Sequence, residues 1–161
     1  MKEISLHDAV RTSPLGAGLS QQQVEVIAGL VRGETFTAGE VIAREGTVDD
    51  RLVIVVDGTL DVVRHRGTPG ETVLATLRAG DFGHELGFLD GTPCYATLLA
   101  TSAAHVLLLE RTRLESLIDS EPRLLYGVMR AILLATHALQ TRLSTQASEL
   151  TNYVVKQHGR Y

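Results

Sequence analysis

This chain of 161 residues is poor in cysteine and contains no run of about 18 apolar residues. Its single thiol, Cys94, excludes an internal disulfide and a zinc site made of cysteines alone, and it suits a reducing compartment. Residues 1–8 do not contain the continuous apolar core of a signal peptide. These absences predict a soluble cytoplasmic protein with no membrane segment.

Positive charge is also scarce. Lysine and arginine number 15 against 19 acidic residues, which gives a net charge of −4. A domain that binds nucleic acid through its phosphates usually has a basic surplus, so the composition argues against direct DNA binding. Hydrophobic residues make up 44% of the chain, which is enough for one globular domain with a substantial core.

Sequence signatures of catalysis are missing as well. The chain has no Walker loop, nucleophile elbow or paired-carboxylate motif, and its six histidines never occur as His-x-His. A cupin-like metalloenzyme would need several of them, such as His65, His84 and His105, to converge with a carboxylate. That alternative stays open, but we predict a non-enzymatic protein with no catalytic residue and no metal.

Three segments can be distinguished along the chain. Residues 1–33 are predicted to be helical, with Ser20 and Gln23 forming a capping box and Gly33 ending a helix. In residues 34–110, short runs of Val, Ile, Thr and Leu alternate with glycine-containing turns at intervals of about ten residues. The Asp57-Gly58 pair is the strongest hairpin signal among them. Seven or eight strands without intervening helices predict an antiparallel barrel or jelly roll.

Residues 111–161 return to a helical period. A short helix is predicted at about 111–119, followed by one of about 25–30 residues, or roughly 45 Å. Apolar residues at alternating steps of three and four form a stripe along the long helix. The stripe consists of Leu125, Val128, Ile132, Ala135, Leu139 and Leu143, and continues through Ala147, Leu150 and Val154. We expect the first turns to pack on the chain's own roll and the distal half to pair with a second copy, forming a homodimer.

The glycine-rich segment 80–97 lies between the predicted strands. Its spacing is typical of a loop that directs backbone N–H groups at an anion. No lysine or arginine occurs within it, so the cation that would complete a phosphate site is missing.

Segments 36–46, 52–62 and 77–86, with their spaced glycines, resemble the cyclic nucleotide-binding domain of the catabolite activator and protein kinase A regulatory subunit families. The resemblance covers about residues 15–143. It implies a mostly β fold, an eight-stranded antiparallel β-roll (jelly roll) with N-terminal helices and a long C-terminal helix. It also implies a phosphate cassette at 80–97, cAMP or cGMP as ligand, and a C-terminal helix that covers the ligand and often mediates dimers.

The resemblance assigns the candidate ligand-binding residues to two short stretches. They are His84, Glu85, Leu86, Gly87, Phe88, Cys94, Tyr95, Ala96 and Thr97. Glu85 matches the glutamate that accepts the ribose 2′-hydroxyl, and residues 86–88 match the turn whose amides face the phosphate. Cys94 occupies the arginine position, Tyr95 a position usually held by a small residue, and His84 a position usually held by glycine.

Loss of one partner of a buried charged pair costs on the order of 2–5 kcal/mol. Binding would therefore weaken by roughly 1.5 to 3.5 decades. Either His84, Arg44, Arg51 or Arg78 supplies the missing charge, or the protein does not read cAMP or cGMP. In the second case Glu85 would simply hold an empty loop.

Further alternatives concern the residues that replace the family pattern. Phe88 and Tyr95 would fill the vacated pocket, and Cys94 would be a small buried hydrophobe or a redox sensor. The leading interpretation is a regulatory module that binds a small molecule and signals to an effector protein of unknown identity. The alternative is a transcription regulator of the catabolite activator type without its helix-turn-helix, since residues 151–161 are too few for that module.

Overall fold

The computed structural model describes residues 5–158, with side chains to residue 156. Helices α1 (Leu6–Thr12) and α2 (Gln21–Ala28) open the chain, joined by a 3-10 turn at Pro14–Gly16. The predicted capping box is present: Ser20 Oγ accepts the Gln23 N–H at 3.2 Å, and Gln23 Oε1 accepts the Ser20 N–H at 3.0 Å.

Helix α2 ends earlier than predicted, at Ala28, and the first strand begins at Val31. The cause is the backbone pairing of Val31 with Leu109. This pairing holds residue 31 in an extended conformation, and it overrides the helical spacing of the neighbouring apolar residues. The boundary predicted between residues 33 and 34 therefore falls inside a strand.

Eight antiparallel strands form two four-stranded sheets, as the resemblance implied. They are β1 (Val31–Phe36), β2 (Val41–Ala43), β3 (Arg51–Asp57), β4 (Leu60–Arg64), β5 (Thr72–Leu77), β6 (Phe82–Gly83), β7 (Thr97–Ala100) and β8 (Ala104–Glu110). The strand orders are β1-β8-β3-β6 and β2-β7-β4-β5. The short helix α3 (Glu85–Asp90) lies between β6 and β7.

The sheet that contains β3 is buried on both faces. Alternate residues of a strand point to opposite faces, and here Leu52 and Ile54 join the core beneath the helices, whereas Val53 and Val55 join the core between the sheets. A strand buried on both sides needs a continuous apolar run, which explains why apolar residues follow one another without interruption in β3.

The predicted hairpin at Asp57-Gly58 is wrong. Strand β3 pairs with β8 and β6, whereas β4 pairs with β5 and β7, so this turn carries the chain from one sheet to the other. Gly58 has a φ of +81°, and a Cβ there would lie 2.2 Å from the Ala103 carbonyl oxygen. The glycine is needed for this close crossing as well as for its turn conformation.

Three helices close the chain: α4 (Arg111–Glu115), α5 (Leu117–Ser120) and α6 (Pro122–His158). Helix α6 has 37 residues and is therefore about 55 Å long, more than predicted. From Ser144 to Lys156 its side chains are exposed, so this part extends beyond the roll. In the described part of the chain, no helix has the length and hydropathy needed to cross a bilayer.

The stripe predicted as a dimer interface is largely used within the chain itself. Val128 and Ile132 are 0% and 4% exposed in the core beneath the helices, and Leu125 and Ala135 pack against that core. Leu139 packs against the core between the sheets. The stripe residues from Leu125 to Leu139 therefore pack on the chain's own roll and are not free for a second copy, whereas Ala147 and Leu150 in the distal half are exposed.

Candidate functional site

A cavity of about 250 Å³ opens between the β-roll, α3 and α6. Its walls are mainly apolar and include Val62, Leu77, Phe82, Ala96, Leu98 and Leu139. The candidate residues His84, Glu85, Leu86, Gly87, Tyr95 and Ala96 also line it, whereas Phe88, Cys94 and Thr97 do not. The cavity therefore lies where the resemblance places the ligand.

Two of the three other candidates have structural contacts elsewhere. Phe88 is fully buried in the core beneath the helices, and its N–H donates to the His84 carbonyl at 3.1 Å. Thr97 Oγ1 accepts the Glu45 N–H at 3.1 Å. The expectation that Phe88 fills the vacated pocket is therefore wrong, because its ring lies on the other side of the cassette.

The third, Cys94, is buried in the core between the sheets, where its thiol contacts His84. Its Sγ lies 2.8 Å from Nε2 of His84, and Nδ1 of the same ring lies 3.2 Å from the Arg51 carbonyl oxygen. A carbonyl only accepts, so Nδ1 carries the proton and Nε2 accepts from the thiol. Burial raises the pKa of Cys94, which keeps the sulfur a thiol.

Glycine at position 87 makes room for the imidazole. A Cβ there would lie 2.4 Å from both Cε1 and Nε2 of His84, and 2.9 Å from the Thr92 carbonyl oxygen. His84 has a φ of +66°, a left-handed conformation that costs a residue other than glycine about 1–2 kcal/mol. His84, Gly87 and Cys94 thus form an interlocked set, in which the ring occupies space beside the arginine position.

None of the arginines proposed as a substitute lines the cavity. Arg51 binds Asp49 and donates to the Ile42 carbonyl at 3.2 Å, and the hydrogen bond with Asp49 raises its pKa. Arg44 lies at a separate surface pocket, and the Arg78 side chain is exposed. Among the described residues that line the cavity there is no lysine or arginine.

Tyr95 lies at the rim of the cavity and is 66% exposed, so its ring does not fill the interior as expected. The guanidinium carbon of Arg64 lies 4.0 Å from the centre of this ring, a cation–π contact. Arg64 Nε also donates to Glu45 at 3.3 Å. This cation is therefore held outside the cavity by two partners.

Glu85 begins α3 and is the one acidic residue among the described residues that line the cavity. Its Oε1 accepts from Thr136 Oγ1 of α6 at 3.3 Å. Burial raises the pKa of Glu85, and the hydrogen bonds from its own backbone N–H and from Thr136 only partly oppose this. A half-buried carboxylate with no lysine or arginine among the described lining residues disfavours a second anion beside it.

Helix α6 contacts the cassette region at three residues spaced three apart. Thr136 donates to Glu85, Leu139 covers the cavity, and Arg142 binds Asp81 through both nitrogens, with Nη1 3.1 Å from Oδ1. Asp81 is buried, and the hydrogen bond raises the pKa of Arg142. This ion pair was not predicted from the sequence, where its signal is an arginine one turn beyond Leu139 on the same helix face.

Comparison with known proteins agrees with this geometry. Residues 33–121, more than half of the chain, match the cyclic nucleotide-binding domain family. A cAMP-dependent protein kinase regulatory subunit from Blastocladiella emersonii is 30% identical over 93 residues, which are 58% of this chain and 23% of that protein. The chain thus spans about a quarter of that relative's length.

Solved structures share the fold. A cyclic nucleotide-binding domain from Methylobacillus flagellatus superposes with a TM-score of 0.76 at 20% identity, covering 88% of this chain and 80% of that one. The Thermus thermophilus catabolite activator protein gives 0.65 at 26% identity, covering 88% and 64%. A cAMP-bound triple mutant of the regulatory subunit of a cAMP-independent protein kinase A from Trypanosoma brucei gives 0.66 at 23%, covering 88% and 48%. With the family match, the eight-stranded roll and the cavity behind its cassette, the chain belongs to the cyclic nucleotide-binding domain family.

Proposed function

We propose that this chain is a non-enzymatic regulatory module of the cytoplasm whose cavity does not bind cAMP or cGMP tightly. One observation carries the proposal: the residue in the arginine position, Cys94, is turned away from the cavity onto His84, and no lysine or arginine takes its place among the described residues that line the cavity. The family's regulatory relatives support the role of a sensor, and the altered cavity distinguishes this member from them.

The energetic consequence follows from the missing charge. A phosphate in this cavity would meet backbone amides but no guanidinium, and the carboxylate of Glu85 would lie nearby. The expected loss of about 2–5 kcal/mol weakens a site of about 1 µM affinity to between about 30 µM and 3 mM.

Calorimetry of the unmodified chain against cAMP, cGMP and cyclic dinucleotides tests the proposal. We expect no saturable binding of cAMP or cGMP below about 30 µM. A dissociation constant near 1 µM or lower for either would overturn it. The same titration of the double variant Cys94→Arg with His84→Gly shows whether the assay can detect a repaired site.

Signalling is proposed to pass through α6. A ligand in the cavity would contact Leu139, and a change in that contact would favour one of two positions of the helix. Such a switch requires that the ligand bind the two positions with different affinity. The receiving partner would be an effector protein that contacts α6.

We also propose a homodimer through a stripe of α6 that keeps the predicted distal residues Leu143, Ala147 and Leu150 but replaces the proximal ones. Tyr126, Leu133 and Leu150 are 71%, 70% and 67% exposed, and they share a seven-residue repeat. The apolar positions of the repeat are Tyr126, Met129, Leu133, Leu143, Ala147 and Leu150; its two central positions are the polar Thr136 and Gln140, and Met129 also contacts the core beneath the helices. It runs beside the face that packs on the roll and continues past the roll's edge, so a second α6 is the partner that matches its period and length.

Light scattering of Leu133→Glu and Leu150→Glu tests this seam. Both variants should be monomers where the unmodified chain is a dimer. The matched control is Leu134→Glu, since Leu134 is also 52% exposed but lies outside the repeat, and it should stay dimeric. A monomeric unmodified chain, or a dimer in both seam variants, would refute this interface.

The two alternatives lack positive support in the described residues. No group of three or more His, Cys, Asp or Glu side chains in the described residues lies close enough to hold a metal ion, so nothing favours a cupin-like site. No helix-turn-helix follows the roll within residues 5–158, where α6 is the last element. We therefore propose neither catalysis nor DNA contact for this chain.

A further inference from the structure

The cavity retains a defined chemical character after the loss of its phosphate anchor. Glu85, the one acidic side chain among the lining residues that the structure describes, receives a long hydrogen bond of 3.3 Å from Thr136. That hydroxyl has a closer acceptor in the Ile132 carbonyl, at 2.9 Å. The carboxylate therefore keeps acceptor capacity for a ligand, because Thr136 has a single proton to share between two acceptors.

The walls around this carboxylate are apolar. Val62, Leu77 and Leu98 of one sheet and Phe82 of the other contribute, and Leu139 covers the cavity from α6. The volume of about 250 Å³ lies just below the roughly 300–1,000 Å³ of ordinary small-molecule sites, so the space suits a compact ligand. An apolar chamber with one polar group fixes a ligand's orientation through that group.

We propose that the cavity takes a small, mainly apolar molecule that is cationic or uncharged and donates an N–H or O–H to the carboxylate of Glu85. This rests on the proposed function, in which the cavity is no longer a cyclic phosphate site. An anion would place a second negative charge beside a carboxylate that has no cation among the described lining residues. An ammonium or hydroxyl donor instead compensates the desolvated carboxylate.

Three probes of nearly equal size separate these cases: phenethylamine, phenethyl alcohol and phenylacetate, each titrated into the full chain by calorimetry or ligand-observed NMR. The amine should bind at least about tenfold more tightly than the carboxylate, with the alcohol between them. In Glu85→Gln the tenfold preference should fall to within about threefold. Glu115→Gln, which removes an exposed carboxylate on α4, is the matched control and should keep the preference.

A second variant locates the site, because Glu85 also borders an apolar groove between α3 and α6. Ala75 lines the cavity but not that groove, so Ala75→Phe should abolish binding of all three probes. The inference fails if phenylacetate binds as tightly as the amine, if the preference persists in Glu85→Gln, if Ala75→Phe still binds the amine, or if no probe binds at 10 mM.

A cAMP titration in the same series separates the two proposals. Tight cAMP binding refutes the proposed function, whatever the amine does. Weak cAMP binding without a preference for the amine refutes only the ligand class inferred here.

Discussion

Arginine can be restored at position 94 in two ways, which differ in what happens to the imidazole of His84. In Cys94→Arg alone, the ring still lies 2.8 Å from the atom that the longer side chain replaces. In the double variant Cys94→Arg with His84→Gly, the ring is gone. The glycine also adopts the left-handed backbone, φ +66°, without the steric cost that histidine bears there.

The size of each effect follows from these contacts. A new guanidinium in contact with the phosphate should recover about 2–5 kcal/mol, or roughly 30- to 3,000-fold in affinity for cAMP. In the single variant the arginine must displace a ring held by the Arg51 carbonyl and backed by Gly87. Overpacking of this kind costs about 1–3 kcal/mol, so the single variant should bind roughly 5- to 150-fold more weakly than the double.

Calorimetry with cAMP on four chains provides the test: unmodified, His84→Gly, Cys94→Arg and the double variant. Only the double variant should reach low micromolar affinity, and His84→Gly alone should not gain. If Cys94→Arg binds as tightly as the double variant, the ring does not obstruct the arginine position. If neither gains, the missing cation is not what separates this cavity from a cyclic nucleotide site.

Three further variants probe the contacts around the cavity through their unfolding free energies in urea. Gly87→Ala should lower the unfolding free energy by about 1–3 kcal/mol, because its Cβ would lie 2.4 Å from the His84 ring. The loss should be smaller in a His84→Gly background, and an equal loss in both backgrounds would exclude the interlock of Gly87 with His84. Arg142→Ala should cost about 3 kcal/mol by leaving Asp81 buried without its cation, and a loss below about 1 kcal/mol would show that the pair contributes little. Because burial raises the folded-state pKa of Glu85, the cost of its ionised form is fully present above that pKa and disappears as the pH falls toward the unfolded value of about 4.3. Glu85→Gln should therefore be more stable than the unmodified chain at neutral pH, with a difference that closes on acidification; a difference independent of pH would contradict the assignment.

Much of the fold could be predicted from local sequence. The strand runs, the Ser20–Gln23 capping box and the helical stripes each depend on residues a few positions apart, and the structure contains all of them. The turn at Asp57-Gly58 was different, because a two-residue turn looks the same whether the strands pair or separate into two sheets. Only the pairing of β3 with β8, about 50 residues later, decides between these cases.

The site was predictable in position but not in its internal contacts. The positions of Glu85 and of the cassette come from the resemblance of segment 77–86 to the family, and the cavity lies beside them. The His84 ring, in contrast, is fixed by the Arg51 carbonyl, 33 residues earlier in the chain. The sequence shows only that His84 and Cys94 depart from the family pattern; that they contact each other, and that Gly87 makes this contact feasible, depends on three-dimensional packing.

Helix α6 links the cavity to the proposed dimer, and its contacts indicate which link can carry a signal. Thr136 lies in register with the seam residues Met129 and Leu143, and it also donates to Glu85. A ligand that bonds to the Glu85 carboxylate would disturb Thr136 little, because the Thr136 hydroxyl also donates to the Ile132 carbonyl of its own helix at 2.9 Å. Leu139 has no such substitute: it packs directly over the cavity, so a ligand that changes the space beneath it must move the helix or be excluded. The coupling between ligand binding in the cavity and the proposed dimer should therefore depend on the packing of Leu139, and it should be retained in Thr136→Val.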